Sequence, residues 1–205
     1  METLFERYPQ LESCRKDFTS AFEILCESFS SGGKLLVAGN GGSASDAEHI
    51  VGELMKGFVR PRHLSPEMSE ALTDADRELG PVLASKLQGT LPAIALDGQI
   101  ALSTAFQNDV DPQLCFAQQV LGYGKAGDVF LGISTSGNSR NVLYAAVTAR
   151  AKGMKVIALT GASENRLSET ADVCIRVPET ETYKVQELHL PVYHALCLML
   201  EERFF

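Results

Sequence analysis

The chain has 205 residues, of which 45% are hydrophobic and 21% are charged, a composition typical of a globular protein. This length is enough for one well-buried α/β domain and is short for two. The net charge of -8 and the pI near 5.0 argue against nucleic acid or an anionic membrane as a partner, because both require a positively charged surface.

The N-terminus and the cysteines indicate a cellular compartment. The opening stretch METLFERYPQ lacks the basic and apolar regions of a secretion signal, and no apolar run approaches the roughly 18 residues of a membrane span. The cysteines are odd in number, widely spaced and free of CxxC motifs, which fits reduced thiols better than disulfides or a thiolate metal site. We therefore expect a cytoplasmic protein without a membrane-spanning segment.

The first half of the chain contains a glycine-rich loop between a strand and a helix. Residues 10–31 have the apolar spacing of an amphipathic helix, and a short apolar strand, Leu35 to Ala38, follows. The loop Gly39 to Ser43 then leads into a helix from Ser45. Free backbone N–H groups at such a helix start attract anions, usually phosphate, although a glycine-rich turn also serves simply to reverse the chain.

His49 and Glu53 form a polar pair on the helix that follows this loop. They are four residues apart, about 400° of helical rotation, so both lie on one face. A His/Glu pair at this spacing is often only a surface pair. Its position just beyond an anion-binding loop favours a functional site.

The rest of the chain alternates between strands and helices. An irregular segment, Lys56 to Pro92, contains a helical run between Met68 and Leu87. The predicted strands are residues 91–96, 128–133, 155–160 and 172–177. The predicted helices are residues 99–106, 112–121, 141–152 and 183–202, with a turn at Asn108 and Asp109. This order predicts an α/β fold with a doubly wound, mainly parallel five-stranded sheet flanked by helices, in which ligands bind beyond the carboxyl ends of the strands.

A second polar loop, STSGNS, follows the predicted strand 128–133 and precedes a helix. Hydroxyl groups together with the N–H donors of a helix start suit a phosphate monoester. The hydroxyls belong to Ser134, Thr135, Ser136 and Ser139. The alternative is an ordinary helix start capped by serine or asparagine.

The C-terminal helix carries Gln186, His189 and His194 ahead of an apolar run. Gln186 and His194 are eight residues apart and project from similar faces, whereas His189 lies about 140° from His194. Each histidine alone is readily explained as a hydrogen-bonded core or interface residue. Together with His49 and Glu53, these side chains also suit the mixed nitrogen and oxygen sites that zinc accepts.

These motifs in combination resemble one known family. The stretches GNGGSASDAEHxxxEL, ND, GDVxLGISTSGNSxNV, KVIALTG, IRVP and QExHxxxxH are similar to those of the phosphoheptose isomerases, within the sugar isomerase (SIS) domain family. The resemblance covers nearly all of the chain except an insertion at about residues 60–90. It implies a single SIS domain over residues 1–205 with a flavodoxin-like three-layer fold. It also implies an aldose–ketose isomerase that converts sedoheptulose 7-phosphate to D-glycero-D-manno-heptose 7-phosphate through an enediol, as a homotetramer with active sites between subunits.

The resemblance also implies roles for individual residues, and it selects His194 over His189. The implied catalytic pair is Glu53 and His194. The implied zinc ligands are His49, Glu53, Gln186 and His194. The implied substrate-binding residues are Asn40, Gly41, Gly42, Ser43, Glu53, Asn108, Asp109, Ser134, Thr135, Ser136, Ser139 and Gln186.

The chain also departs from the family pattern. The arginine that the family carries four residues after the catalytic glutamate is Gly57 here, and its acidic residue three positions before the glutamine is Tyr183. Lys56, Arg60 and Arg62 lie near the first position and are candidates to replace the charge.

Two other interpretations remain open from the sequence. One is a non-catalytic SIS module that binds a sugar phosphate for regulation or docks on a protein partner. The other is an isomerase for a different sugar phosphate, with the 60–90 insertion as a specificity lid. The presence of both Glu53 and His194 favours an enzyme.

Overall fold

The computed structural model describes residues 2–205, which form one sheet surrounded by helices. The strands are β1 (Leu35–Ala38), β2 (Ala93–Ala95), β3 (Val129–Ile133), β4 (Lys155–Thr160) and β5 (Val173–Arg176). The helices are α1 (Glu2–Arg7), α2 (Arg15–Ser30), α3 (Gly42–Met55), α4 (Pro66–Ala75), α5 (Leu79–Lys86), α6 (Ile100–Asp109), α7 (Cys115–Tyr123), α8 (Arg140–Ala151), α9 (Arg166–Thr170) and α10 (Thr182–Phe204). Short 3-10 turns cover Pro9–Cys14, Leu96–Gly98 and Pro112–Leu114.

The sheet confirms the predicted α/β architecture. All neighbouring strands are parallel, in the order β2-β1-β3-β4-β5. The strand order reverses at β1, which lies between β2 and β3. Parallel sheets of this order bind ligands in the crevice beside the first strand, where the connections leave in opposite directions.

Two apolar layers enclose the sheet because the strand residues alternate between its faces. On one face, α2, α3 and α10 pack against side chains such as Leu35, Val37 and Leu131. On the other face, α7 and α8 pack against Leu36 and Phe130. The loop after β1 therefore leads to a helix on the first face, and the loop after β3 leads to a helix on the second.

Several predicted boundaries are wrong for local reasons. Asn108 and Asp109 do not form a turn, since they are the last two residues of α6, which ends where Val110 adopts φ -131° and ψ -88°. The predicted strand 91–96 shortens to β2, because the backbone N–H of Leu91 donates to the carbonyl of Leu54 instead. The helical run within 68–87 divides at Asp76, whose side chain accepts from the first N–H groups of α5.

Other predicted elements differ at their starts. The first predicted helix, residues 10–31, begins as a 3-10 turn before α2, and the predicted helix 112–121 likewise begins as a 3-10 turn before α7. The short helices α1 and α9 were not predicted, because five or six residues are too few to show helical periodicity.

The thiols and the helices of residues 2–205 bear on two of the sequence predictions. All five cysteines are free, and burial raises the pKa of Cys197 to about 12. No helix in this part of the chain combines the length and the apolar character that crossing a bilayer requires.

Candidate active site

The loop after β1 is shaped by glycine. Gly41 has φ +56° directly before α3, a conformation that L-residues with a side chain rarely adopt. A Cβ atom on Gly39 would lie 2.4 Å from the backbone oxygen of Ser43, so the first turn of α3 packs directly on the loop. This close packing leaves the loop backbone at the crevice, as the sequence predicts for an anion or substrate loop.

The loop after β3 carries the predicted hydroxyl groups. Gly137 has φ +64° and turns the chain, while the hydroxyls of Ser134 and Ser139 lie 3.0 Å apart. Ser139 stands at the N-cap of α8 without a side-chain capping hydrogen bond. Its hydroxyl is therefore not used as a cap, which favours the ligand-binding interpretation of this loop over simple capping.

A pair of amide side chains joins the two loops across the crevice. Asn40 donates to the Oδ1 atom of Asn141 at 3.0 Å, and Asn141 donates in return to the Oδ1 atom of Asn40 at 2.7 Å. Asn141 was not predicted as a site residue. The one feature of the sequence that could have identified it is its place in the first turn of a helix after a strand, where parallel sheets bind ligands.

Gln186 also belongs to this edge of the sheet. A Cβ atom on Gly42 would lie 2.7 Å from the Nε2 atom of Gln186, so the amide packs on the start of α3. The edge formed by the loop after β1, the loop after β3 and Gln186 is called the loop edge below.

A second polar group lies where α3 and α10 pack together. It consists of His49, Glu53 and His194 and is called the helix pair below. His49 Nε2 is 3.2 Å from Glu53 Oε1, and the rings of His49 and His194 are 4.9 Å apart and nearly perpendicular. The Nε2 atom of His194 is buried without a hydrogen-bond partner. Burial lowers the pKa of His194, the nearby His49 lowers it further and Glu53 opposes the shift. The helix pair therefore presents a carboxyl group beside an imidazole that stays neutral near pH 7.

Tyr193 and Asp46 fix the orientation of His49. The Tyr193 hydroxyl donates to Asp46 Oδ1 at 3.1 Å, and His49 Nδ1 is 3.1 Å from the same hydroxyl. Since the hydroxyl has one proton, Nδ1 must be the donor to it, and the Nε2 atom of a neutral His49 presents its lone pair to Glu53. A cation, either a proton or a metal, then stabilises the contact between His49 and Glu53. Neither Tyr193 nor Asp46 was predicted as a functional residue.

The helix pair fits part of the predicted zinc site. Two ligands on one zinc ion at a tetrahedral angle lie about 3.4 Å apart, close to the 3.2 Å between His49 Nε2 and Glu53 Oε1. Gln186 lies about 12 Å from His194 along α10 by helical rise. Residues 2–205 contain no group of three or more His, Cys, Asp or Glu side chains that could hold a metal ion. A single chain thus orients His49 and Glu53 for a metal but does not bring all four predicted zinc ligands together.

The basic residues after α3 have different roles. Lys56 Nζ is 3.4 Å from Glu53 Oε2 and places a positive charge beside the carboxylate. Arg62 is fully buried, forms a 2.8 Å ion pair with Glu201 and donates to the carbonyl groups of Glu53 and Leu54. Of these residues, Lys56 therefore stays a candidate to replace the arginine charge, whereas Arg62 holds the end of α3.

Asn108 and Asp109 lie apart from both groups in their hydrogen bonding. They are exposed at the end of α6, and the Asn108 amide donates to Asp109 Oδ1 at 2.7 Å. Across residues 2–205, no hydrogen bond joins them to the loop edge or the helix pair. Along α3, Gly42 and Glu53 are about 16 Å apart by helical rise, so the loop edge and the helix pair are also separate within one chain.

Comparison with known proteins gives a consistent result. A family model described as the SIS domain matches residues 83–161. A phosphoheptose isomerase of Rhodospirillum rubrum is 35% identical over 201 residues, which span 98% of this chain and 93% of that protein.

Solved structures agree with this result. A phosphoheptose isomerase from Francisella tularensis superposes with a TM-score of 0.75 at 31% identity, covering 98% of this chain and 94% of that one. A phosphoheptose isomerase from Neisseria gonorrhoeae superposes with a TM-score of 0.72 at 30% identity, covering 98% of both chains. With 35% identity to one such isomerase, and with close superposition on two solved ones over nearly the whole chain, the chain belongs to the phosphoheptose isomerase family.

Proposed function

We propose that this chain is an aldose–ketose isomerase that converts sedoheptulose 7-phosphate to D-glycero-D-manno-heptose 7-phosphate. The observation that carries the proposal is the contact of His49 with both Glu53 and His194 on the helix pair. Membership of the phosphoheptose isomerase family supports the choice of substrate. The two remote helices α3 and α10 thus supply an acid and a base to one place.

The reaction requires one proton to move between adjacent carbons. A base removes a proton from C1 of the ketose while the C2 oxygen gains one, which gives the enediol. Protonation of C2 and loss of the proton on the C1 oxygen then give the aldose. We assign these transfers to Glu53 and His194, since Glu53 is mostly enclosed and the lowered pKa of His194 keeps its ring neutral.

The loop edge binds the substrate in this proposal. Phosphate oxygens accept hydrogen bonds from the hydroxyls of Ser134, Thr135, Ser136 and Ser139 and from the first N–H groups of α8. The sugar contacts are assigned to Asn40, Gly41, Gly42, Ser43, Asn108, Asp109 and Gln186. Glu53 contacts the reacting carbons as the acid/base group.

Zinc is part of the proposal through His49 and Glu53, with His194 and Gln186 as the remaining ligands. When bound, the ion would either hold Glu53 and His194 in place or polarise the carbonyl group of the substrate. The test is elemental analysis of the purified protein. We expect about one zinc per chain and loss of the metal in His49→Ala, whereas an unchanged metal content in that variant would contradict the assignment.

We further propose a homotetramer with active sites between subunits. Support comes from the separation of the loop edge and the helix pair, and from a hollow of about 350 Å³ beside His194 lined by Leu4, Leu190 and Leu198. Light scattering after size-exclusion chromatography measures the mass of the assembly and so tests whether it is a tetramer. Mixed assemblies of Glu53→Gln and Ser139→Ala chains test the site, because shared sites should regain turnover that neither variant shows alone.

Free thiols support a cytoplasmic location in the cell. Fractionation of cells that produce the protein tests this proposal. Recovery in the periplasmic or membrane fraction would contradict it.

The activity is tested by incubating the protein with sedoheptulose 7-phosphate and a panel of hexose and pentose phosphates, with the products read by NMR. We expect turnover of the heptulose phosphate and a loss of at least about 1,000-fold in Glu53→Gln, with inorganic phosphate binding retained. The matched control is Glu70→Gln, an exposed glutamate on α4, which should keep full activity. Phosphate binding by the wild type without turnover of any sugar would favour the non-catalytic SIS module.

A further inference from the structure

A cavity at the carboxyl edge of the sheet, with both polar and apolar walls, extends beyond the predicted site residues. Its volume is about 290 Å³, near the lower limit for small-molecule sites, and the backbone of Gly39 and Gly41 forms part of its wall. Five polar residues line it, from the turn after β2, from α6, from α8 and from the loop after β1. They are Asn40, Asp97, Ser103, Gln107 and Asn141.

Asp97 is the one charged group among these five. It lies in the 3-10 turn that follows β2 directly, and its Oδ1 atom is buried without a hydrogen-bond partner. Burial raises the pKa of Asp97, and the charge of Glu48 raises it further. A buried acceptor left without a donor costs free energy, so a donor in the cavity would stabilise this carboxylate.

The lining defines what the cavity can bind. Within residues 2–205, no lysine or arginine lines it, and a carboxylate repels a phosphate dianion. Carboxylate, amide and hydroxyl groups are instead the acceptors and donors that match the hydroxyl groups of a carbohydrate. The cavity therefore suits an uncharged polyol segment.

The cavity also lies next to the proposed phosphate site. Asn40 and Asn141 line it and hydrogen-bond each other, and Asn141 is two residues beyond Ser139 in the first turn of α8. A phosphorylated sugar held by the serine loop can therefore extend its hydroxyl-bearing carbons past this amide pair.

We propose that this cavity is a subsite for the hydroxyl groups of the phosphosugar chain, with Asp97 as its central hydrogen-bond acceptor. The inference rests on the proposed function for the identity of the sugar. It assigns Asp97, Ser103, Gln107 and Asn141 to substrate recognition, a role that the sequence motifs did not give them.

The test is Asp97→Asn, which keeps the shape of the side chain and removes its charge. Because the Oδ1 atom of Asp97 is buried without a hydrogen-bond partner, the variant should unfold at the same or a higher temperature than the wild type. Its dissociation constant for sedoheptulose 7-phosphate should nevertheless rise about 10-fold or more, while that for inorganic phosphate stays unchanged. Ser103→Ala is a second variant with a smaller expected loss, and Asp74→Asn, exposed on α4, is the matched control.

Binding is measured by calorimetry, so the result does not depend on turnover. Unchanged affinity of Asp97→Asn for the sugar phosphate would overturn the subsite, as would an equal loss of affinity for sugar phosphate and inorganic phosphate. Absence of sugar phosphate binding by the wild type would overturn it as well. Tight, Asp97-dependent binding without turnover would instead overturn only the proposed isomerase function.

Discussion

The loop edge and the helix pair are held in place by different means. At the loop edge, backbone hydrogen bonds and the positive-φ residues Gly41 and Gly137 fix the chain, so hydroxyl and amide side chains stay available to a ligand. At the helix pair, side chains hold one another, from Asp46 through Tyr193 and His49 to Glu53. Substitutions at the loop edge should therefore weaken binding, whereas substitutions at the helix pair should reduce turnover and stability together.

The largest effect is expected from removing the buried ion pair that holds the end of α3, the helix that carries His49 and Glu53. Glu201 is buried, pairs with Arg62 at 2.8 Å and accepts from the backbone N–H groups of residues 58–60. We expect Glu201→Ala to lower the free energy of unfolding by about 3–5 kcal/mol, because the buried Arg62 charge loses its counter-charge.

Urea denaturation measures this effect, and the neighbouring residue supplies a control. Glu202 pairs with Arg60 at 3.3 Å, but its side chain is 70% exposed. Glu202→Ala should cost less than about 1 kcal/mol. Equal losses in the two variants would mean that the buried pair does not support the end of α3.

His189 offers a pH-dependent test of which α10 side chains belong to the core. The side chain is fully buried, and burial lowers the pKa of His189 to about 4, although the backbone of Thr160 opposes the shift. The unfolded chain, with a histidine pKa near 6.5, therefore binds more protons than the folded one below that pH. Stability from this group is present above about pH 6.5 and is lost progressively as the pH falls toward 4.

The expected loss between pH 7 and pH 5 is about 2 kcal/mol from His189 alone. Chemical denaturation of the wild type and of His189→Leu at both values measures it, since the leucine variant should lack this part of the dependence. An identical pH dependence in the two proteins would show that His189 is not a buried neutral residue.

Much of the fold could be predicted because it depends on local patterns. The apolar runs that became β1, β3, β4 and β5 are bounded by glycine or polar residues, and their alternation with helices implies a parallel sheet. The end of α6 was not predictable in the same way. Asn108 and Asp109 are turn formers by composition, yet the helix continues through them until Val110.

The site was predictable where residues are close in sequence and less so where they are not. His49 and Glu53 share a helix face, so their contact follows from spacing. The contacts of Tyr193 with Asp46 and of Asp97 with the cavity depend on how distant elements pack, and no local pattern encodes them. Arg62 shows the opposite error, because its nearness to Glu53 in sequence suggested an active-site charge although it is buried against Glu201.

Tyr193→Phe sharpens the contrast at the helix pair itself. The variant keeps the ring packing but removes the hydroxyl that orients His49, so we expect kcat to fall about 10-fold with little change in KM. Steady-state kinetics measure both constants. Tyr123→Phe is the matched control, because Tyr123 is exposed at the end of α7. A change confined to KM would place Tyr193 in substrate binding instead.

The smallest effect concerns the charge beside Glu53. Lys56 Nζ lies 3.4 Å from Glu53 Oε2, but the lysine side chain is 60% exposed, so water and salt screen the pair. We expect Lys56→Met to change the free energy of unfolding by less than about 1 kcal/mol and to lower kcat/KM only a few-fold. The difference in kcat/KM between the variant and the wild type should shrink in high salt. Kinetics at low and high ionic strength test this, with exposed Lys16 on α2 replaced by Met as the control. A large, salt-independent loss would mean that Lys56 contacts the substrate directly, as a full substitute for the arginine that Gly57 replaces.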